Sequence, residues 1–198
     1  MMKNKNDLDS NKVKILNESK KLFAEKGFDG TSIGQIAQKA NVAKGLIFHY
    51  FDNKATLWRQ VKETIILSDN QTESLDVKNG LLAFLTQLVN ARIHSYSQHP
   101  ELVRIMLWQH LQKDKDQLAG IEQPLYSPTL WHPSIIMLQQ KGQLRTDMTV
   151  EMIIVFIANS ISAIFAQDYF EISHDKAQLQ TYQEKIIDCL YQALKVRL

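Results

Sequence analysis

Residues 31–54, TSIGQIAQKANVAKGLIFHYFDNK, constrain the fold more than any other stretch of this chain. Ser32 followed three residues later by Gln35 forms a capping-box pattern, with Thr31 as a second hydroxyl just ahead, so a helix is expected to start near Ile33. Ile33, Ile36, Ala37 and Ala40 recur at helical spacing and make one stripe for burial. Asn41 tolerates a left-handed backbone and marks the break. A second short helix then starts around Ala43, with Val42, Leu46 or Ile47, and Phe51 turned inward. Lys44, Gly45, Phe48, His49 and Tyr50 are left on its other surface. Two short helices, a tight turn and a basic, aromatic second helix are the outline of a helix-turn-helix.

The flanking residues extend that outline. Leu22, Phe23, Gly27 and Phe28 precede Thr31 and Ser32; Ile36, Ala37, Val42, Lys44, Gly45, Ile47, Phe48, His49, Tyr50, Phe51, Lys54 and Leu57 follow at fixed offsets. In this pattern, covering roughly residues 12 to 60, the chain resembles the TetR family of bacterial transcriptional regulators. Beyond it the resemblance is architectural. Two positions depart from the family pattern: Phe48 stands where Tyr is usual and lacks its hydroxyl, and Ala43 stands where a Ser often caps the second helix.

The chemistry at these positions suits a polyanion. Thr31, Ser32 and Gly34, at an open helix start, are candidates for positioning a DNA phosphate. Lys44 and Lys54 bracket the second helix as point charges, and Tyr50 resembles the family position that bonds the DNA backbone. Base reading falls to Gly45, Leu46, Phe48 and His49, where Gly45 permits close approach and an apolar side chain can meet a thymine methyl. Short helix pairs also occur in helical proteins that never touch DNA. Charge favours DNA: residues 1–60 hold eleven Lys or Arg against six Asp or Glu, a net of +5, and the remainder holds twelve against fifteen, a net of −3.

The rest of the chain predicts an all-α protein of about nine helices. The expected division is an N-terminal helix-turn-helix domain over 1–53, with 1–9 a flexible tail, and a helical regulatory and dimerisation domain over 54–198 entered through a connecting helix, 54–69. A bracing helix is expected from Asn11 to Lys26, after a cap at Asp9 or Ser10, with Ile15, Leu16, Ser19, Leu22 and Phe23 inward. The connecting helix carries Leu57, Val61 and Ile65 on one face. Body helices are expected over Asp76–His99, from Pro100, over Pro133–Gln140, Val150–Phe170 and Asp175–Leu198, with a Pro- and Gly-containing loop between Lys113 and Pro133. The last two carry more apolar surface than one face needs, which predicts a symmetric homodimer with a four-helix interface suited to a palindromic operator in double-stranded DNA.

The polar N-terminus and the lack of a transmembrane-length apolar run predict a cytoplasmic protein without a membrane partner. Cys189 has no partner for an internal disulfide and reads as a small buried apolar residue. No cofactor-binding motif is present; His94, His99, His110 and His132 could in principle gather around a metal, but their spacing is not diagnostic, and no metal is expected. The family resemblance implies a small-molecule effector in the body; Phe84, Met106, Trp108, His110, Trp131 and Phe156 are candidates for lining its site and are equally explained as core. The expected function is therefore a sequence-specific DNA-binding regulator, a repressor released by an effector, with an all-helical adaptor or enzyme as the alternative.

Overall fold

The computed structural model describes residues 5–68, 75, 77–111, 128–166 and 172–196; side chains at 5–9, 65–68, 109, 110, 128 and 129 also fall outside it. The described residues form nine α-helices: α1 (Lys5–Lys26), α2 (Ile33–Ala40), α3 (Lys44–Phe51), α4 (Lys54–Ser68), α5 (Gly80–Gln98), α6 (Pro100–Leu111), α7 (His132–Gln140), α8 (Val150–Ala166) and α9 (Lys176–Leu194). A short 3-10 turn, Pro128–Trp131, leads into α7. The chain forms two compact units, Met1–Ser68 with Glu101–Gln123, and Asp69–Pro100 with Pro124–Leu198. In this grouping α4 and nearly all of α6 fall with the helix-turn-helix.

In the first unit α1 runs six residues further back than expected, and Asp9 and Ser10 lie inside it. Nothing between Lys5 and Lys26 breaks a helix, so the polar first turns extend it without needing burial. Ile15, Ser19, Leu22 and Phe23 are buried along one face. Gly27 ends the helix at φ +70°, a left-handed conformation that favours glycine. The core centres on three rings: Trp58 of α4 meets Phe23 edge-on at 4.8 Å between centroids and Phe28 at 5.8 Å. Ile36, Ile47, Phe51, Leu57 and Val61 complete it, and Leu102, Val103 and Ile105 of α6 are also buried. Ile65 belongs to α4, but its side chain lies outside the described residues.

Trp108 fastens α6 to the end of α1. Its Nε1 donates to the Ala24 carbonyl at 3.1 Å, and its ring lies so close to Gly27 that a Cβ there would meet two ring atoms at 2.8 Å. Glu101 adds an ion pair to Lys20 at 3.8 Å.

The second unit packs α5 against α8 and α9, with α7 against α8. Phe84, Leu85, Leu88, Val89 and Ile93 from α5 meet a core supplied by Ile135, Leu138, Ile153, Ile157, Ile161, Leu190 and Leu194. α5 starts at Gly80 rather than at residue 76, which lies outside the described residues; Gly80 has φ +87°, and Lys78 and Asn79 form a turn before it. The apolar periodicity runs on through the buried Val77, but the backbone reverses at Gly80. α8 is described to Ala166, and the expected extension to Phe170 falls outside the described residues. α9 ends at Leu194, where Lys195 turns extended and bridges Leu144 instead of continuing the expected helix to residue 198.

Two faces depart from simple core packing. Met152, Val155 and Phe156, one turn apart on the outer side of α8, are 57%, 59% and 41% exposed. Cys189 is exposed on α9, contrary to the buried role expected of it, because α9 buries Leu190 and Leu194 on another side. Among the described residues, no helix is long and apolar enough to cross a membrane.

Candidate nucleic-acid interface

The start of α2 is built by the residues that the capping pattern singles out. The Ser32 hydroxyl accepts from the Gln35 amide at 3.2 Å, and the Ser32 amide donates to Gln35 Oε1 at 2.9 Å. This reciprocal pair satisfies two donors at the helix end. The amides of Ile33 and Gly34 remain without a helical carbonyl four residues back. Ser32 and Gly34 are both exposed, and a Cβ built on Gly34 would meet nothing closer than Ser32 Oγ at 3.8 Å.

Asn41 closes α2 in a left-handed conformation, φ 53° and ψ 49°, as expected. The chain turns there, and the Val42 amide bonds back to the Ala37 carbonyl at 3.0 Å. Ala43 caps α3 with no side-chain hydrogen bond, the consequence of alanine at that position. α3 then has two distinct faces. Ile47 and Phe51, 1% and 0% exposed, hold it against the core. Lys44, Gly45, Phe48 and His49 stand in solvent, with Phe48 44% exposed. A Cβ at Gly45 would meet nothing within 4 Å, so a ligand backbone can approach this face closely. Leu46 and Tyr50 flank it half-buried, the Tyr50 ring 5.5 Å from that of His49.

Two residues of the expected set are committed elsewhere. Thr31 is 1% exposed, and its hydroxyl donates to the carbonyls of Leu22 at 3.1 Å and Gly27 at 2.8 Å. The Lys54 ammonium donates to the carbonyls of Phe28 at 2.9 Å and Thr31 at 3.1 Å, and lies 4.1 Å from the Phe28 ring centroid. These side chains cross-link the α1–α2 turn through its backbone carbonyls. Asn53 has a part that its sequence position alone did not single out: its Oδ1 caps α4 by accepting from the Thr56 amide at 2.8 Å. An Asn just before a helix start is the signal that could have found it.

The six effector-site candidates divide between the units. Phe84 and Trp131, 0% and 3% exposed, are buried in the second unit, where Arg92 lies 5.5 Å from the Trp131 ring. Phe156 is in the same unit but faces outward on α8. Met106 and Trp108 belong to the first unit, Trp108 being occupied with α1. The side chain of His110 lies outside the described residues.

Residues 15–61 match the profile of the bacterial regulatory proteins of the tetR family, and residues 85–188 match that of the tetracyclin repressor-like C-terminal domain. The chain belongs to the TetR family. This regulator is 28% identical over 131 residues to IcaR, the negative transcriptional regulator of the biofilm operon icaADBC in Staphylococcus epidermidis, a match covering 60% of this chain and 70% of that protein. To IcaR of Staphylococcus aureus strain Newman it is 31% identical over 84 residues, covering 39% of this chain and 45% of that one. Among solved structures, a tetR family transcription regulator from Shewanella sp. PV-4 superposes with a TM-score of 0.73 at 21% identity, over 94% of this chain and 99% of that one. The ketosteroid regulator KstR2 of Mycobacterium tuberculosis gives 0.68 at 17% identity, over 94% and 95%. At those identities the likeness concerns the fold, which is the all-α, helix-turn-helix architecture expected of the sequence. A TetR-family chain is a transcription regulator and not an enzyme.

Proposed function

We propose that this TetR-family regulator is a homodimeric repressor that binds a palindromic operator and is released by a small-molecule effector held in its C-terminal domain. The observation that carries the reading is the division of α3: one face is sealed at Ile47 and Phe51, while Lys44, Gly45, Phe48 and His49 stand free beside the exposed start of α2. Ser32, Gly34, Lys44 and Tyr50 are the phosphate-positioning set, and Gly45, Leu46, Phe48 and His49 the base-reading set. Phe48 supplies an apolar surface for a thymine methyl, and His49 a polar edge beside it.

Dimerisation fits the outer face of α8. Met152, Val155 and Phe156 present apolar surface on one side of a helix whose opposite side is already core. A two-fold interface there pairs two heads with two half-sites. Effector release follows as a population shift: an effector that binds one body conformation better than another displaces the heads from the half-site spacing. That the negative regulators IcaR resemble this chain supports repression over activation.

The test is selection of genomic fragments by the purified protein, followed by titration of the best fragment at several salt concentrations. A palindrome bound at least about a thousandfold tighter than random DNA supports the reading. Binding no tighter than to random DNA refutes it and leaves the adaptor alternative.

A further inference from the structure

The peptide unit joining Thr31 to Ser32 is held from both sides. Its carbonyl accepts from Lys54 Nζ at 3.1 Å, and its N–H donates to Gln35 Oε1 at 2.9 Å. It leads into Ser32, the N-cap of α2. The same ammonium holds the Phe28 carbonyl at 2.9 Å from its place 4.1 Å off the Phe28 ring centroid. Phe28 in turn packs on Trp58, one turn along α4 from Lys54. Thr31 is pinned independently, its hydroxyl donating to the Leu22 and Gly27 carbonyls. The end of α1, the start of α2 and the first residue of α4 therefore meet in one clasp of four side-chain-to-carbonyl hydrogen bonds.

A lysine in the first turn of a helix opposes the helix dipole, and the two carbonyls offset that cost here. Two of its three N–H donors are already used. We infer that Lys54 is a positioning residue: it sets the orientation of the start of α2 through the Phe28 and Thr31 carbonyls, and does not act by placing its charge on a DNA phosphate. This inference rests on the DNA-binding reading above for its functional consequence, but not for the clasp itself.

The two roles differ in salt dependence. A lysine that neutralises a phosphate contributes about 0.9 to the slope of log affinity against log salt, whereas a positioning residue changes affinity at every salt concentration and leaves the slope alone. Operator titrations of wild type, Lys44→Gln, Lys54→Met and Thr31→Val separate them. Lys44→Gln is the exposed reference and loses about 0.9 of slope. Lys54→Met weakens binding roughly tenfold along a parallel line. Thr31→Val, which removes the other half of the clasp without altering charge, gives a second parallel line, and the double variant loses less than the product of the two. In the DNA-free protein, amide exchange at residues 32–35 speeds up in both variants. A slope reduced by about 0.9 in Lys54→Met, or unchanged affinity, overturns the inference. If Lys54→Met does not fold, Thr31→Val decides: unaltered exchange at 32–35 overturns the clasp. A wild-type protein that selects no DNA defeats the DNA reading, while exchange in the free protein still judges the clasp.

Discussion

Replacing Gly27 by alanine isolates the fastening of α6 to α1. The backbone there has φ +70°, where an L-residue with a Cβ costs about 1–2 kcal/mol. Alanine also restricts the unfolded chain, which returns about 0.4–1 kcal/mol, so the backbone effect alone is about 1 kcal/mol. The larger part is steric. The new Cβ would lie 2.8 Å from Trp108 Cδ2 and Cε3 and 3.2 Å from Cγ. The indole cannot slide freely, because its Nε1 is bonded to Ala24 O at 3.1 Å. Overpacking of this kind costs about 1–3 kcal/mol, giving a total of about 2–4 kcal/mol. Gly142→Ala is the control: φ is +64°, but nothing lies within 4 Å of the added Cβ, so only the backbone effect of about 1 kcal/mol remains. Equilibrium urea unfolding at fixed pH measures both. In a Trp108→Ala background the ring is gone, and Gly27→Ala should then cost about as much as Gly142→Ala, a coupling of about 1–3 kcal/mol. A Gly27→Ala cost that matches Gly142→Ala in the wild-type background, or that Trp108→Ala leaves unchanged, refutes the steric account.

Three further outcomes follow from other sites. Lys62 is 6% exposed, and burial pushes its ammonium down to about 8 against a smaller raising effect of Glu63. An unfolded lysine titrates near 10.4, so between about pH 8 and 10.4 the unfolded chain holds more protons and stability rises with pH. Lys62→Met removes that rise, read as the difference in urea unfolding between pH 7 and 9.5; a wild-type curve flat over that range contradicts the assignment. Ser32→Ala removes the α2 cap and costs about 0.5–2 kcal/mol in thermal or urea unfolding, with operator binding weakened at an unaltered salt slope. Val155→Glu places a charge in the outer apolar face of α8 and is expected to turn the dimer into a monomer in sedimentation velocity; a dimer that persists moves the interface elsewhere.

How much of this was legible in sequence divides by the range of the interaction. The Ser32–Gln35 box, the left-handed Asn41 and the uncapped Ala43 were all readable, because each depends on residues at most three or four apart. The start of α1 was not, since a polar helix turn and a polar tail have the same composition. Periodicity placed the start of α5 too early, because the buried Val77 continues the apolar pattern across a turn that Gly80 makes with its backbone. Cys189 sits beside Leu190 in sequence and on a different face in space, because one residue turns the helix by about 100°.

The hardest assignments were those where the same side-chain chemistry serves two ends. A threonine hydroxyl and a lysine ammonium bond phosphate oxygens and backbone carbonyls alike, and only the partner distinguishes a ligand contact from a brace. For Thr31 the acceptors lie four and nine residues back, and for Lys54 they lie 23 and 26 residues back. Such partners are fixed by how three helices meet, not by local pattern. Trp108 is the same case at greater range: as one of several aromatics in the body it reads as core or as pocket lining, yet its indole N–H is used 84 residues away on α1. The contact makes α6 part of the head unit, so the helix that follows α5 after a single residue, His99, is fastened by its own side chains to the end of the helix that braces the DNA-reading pair.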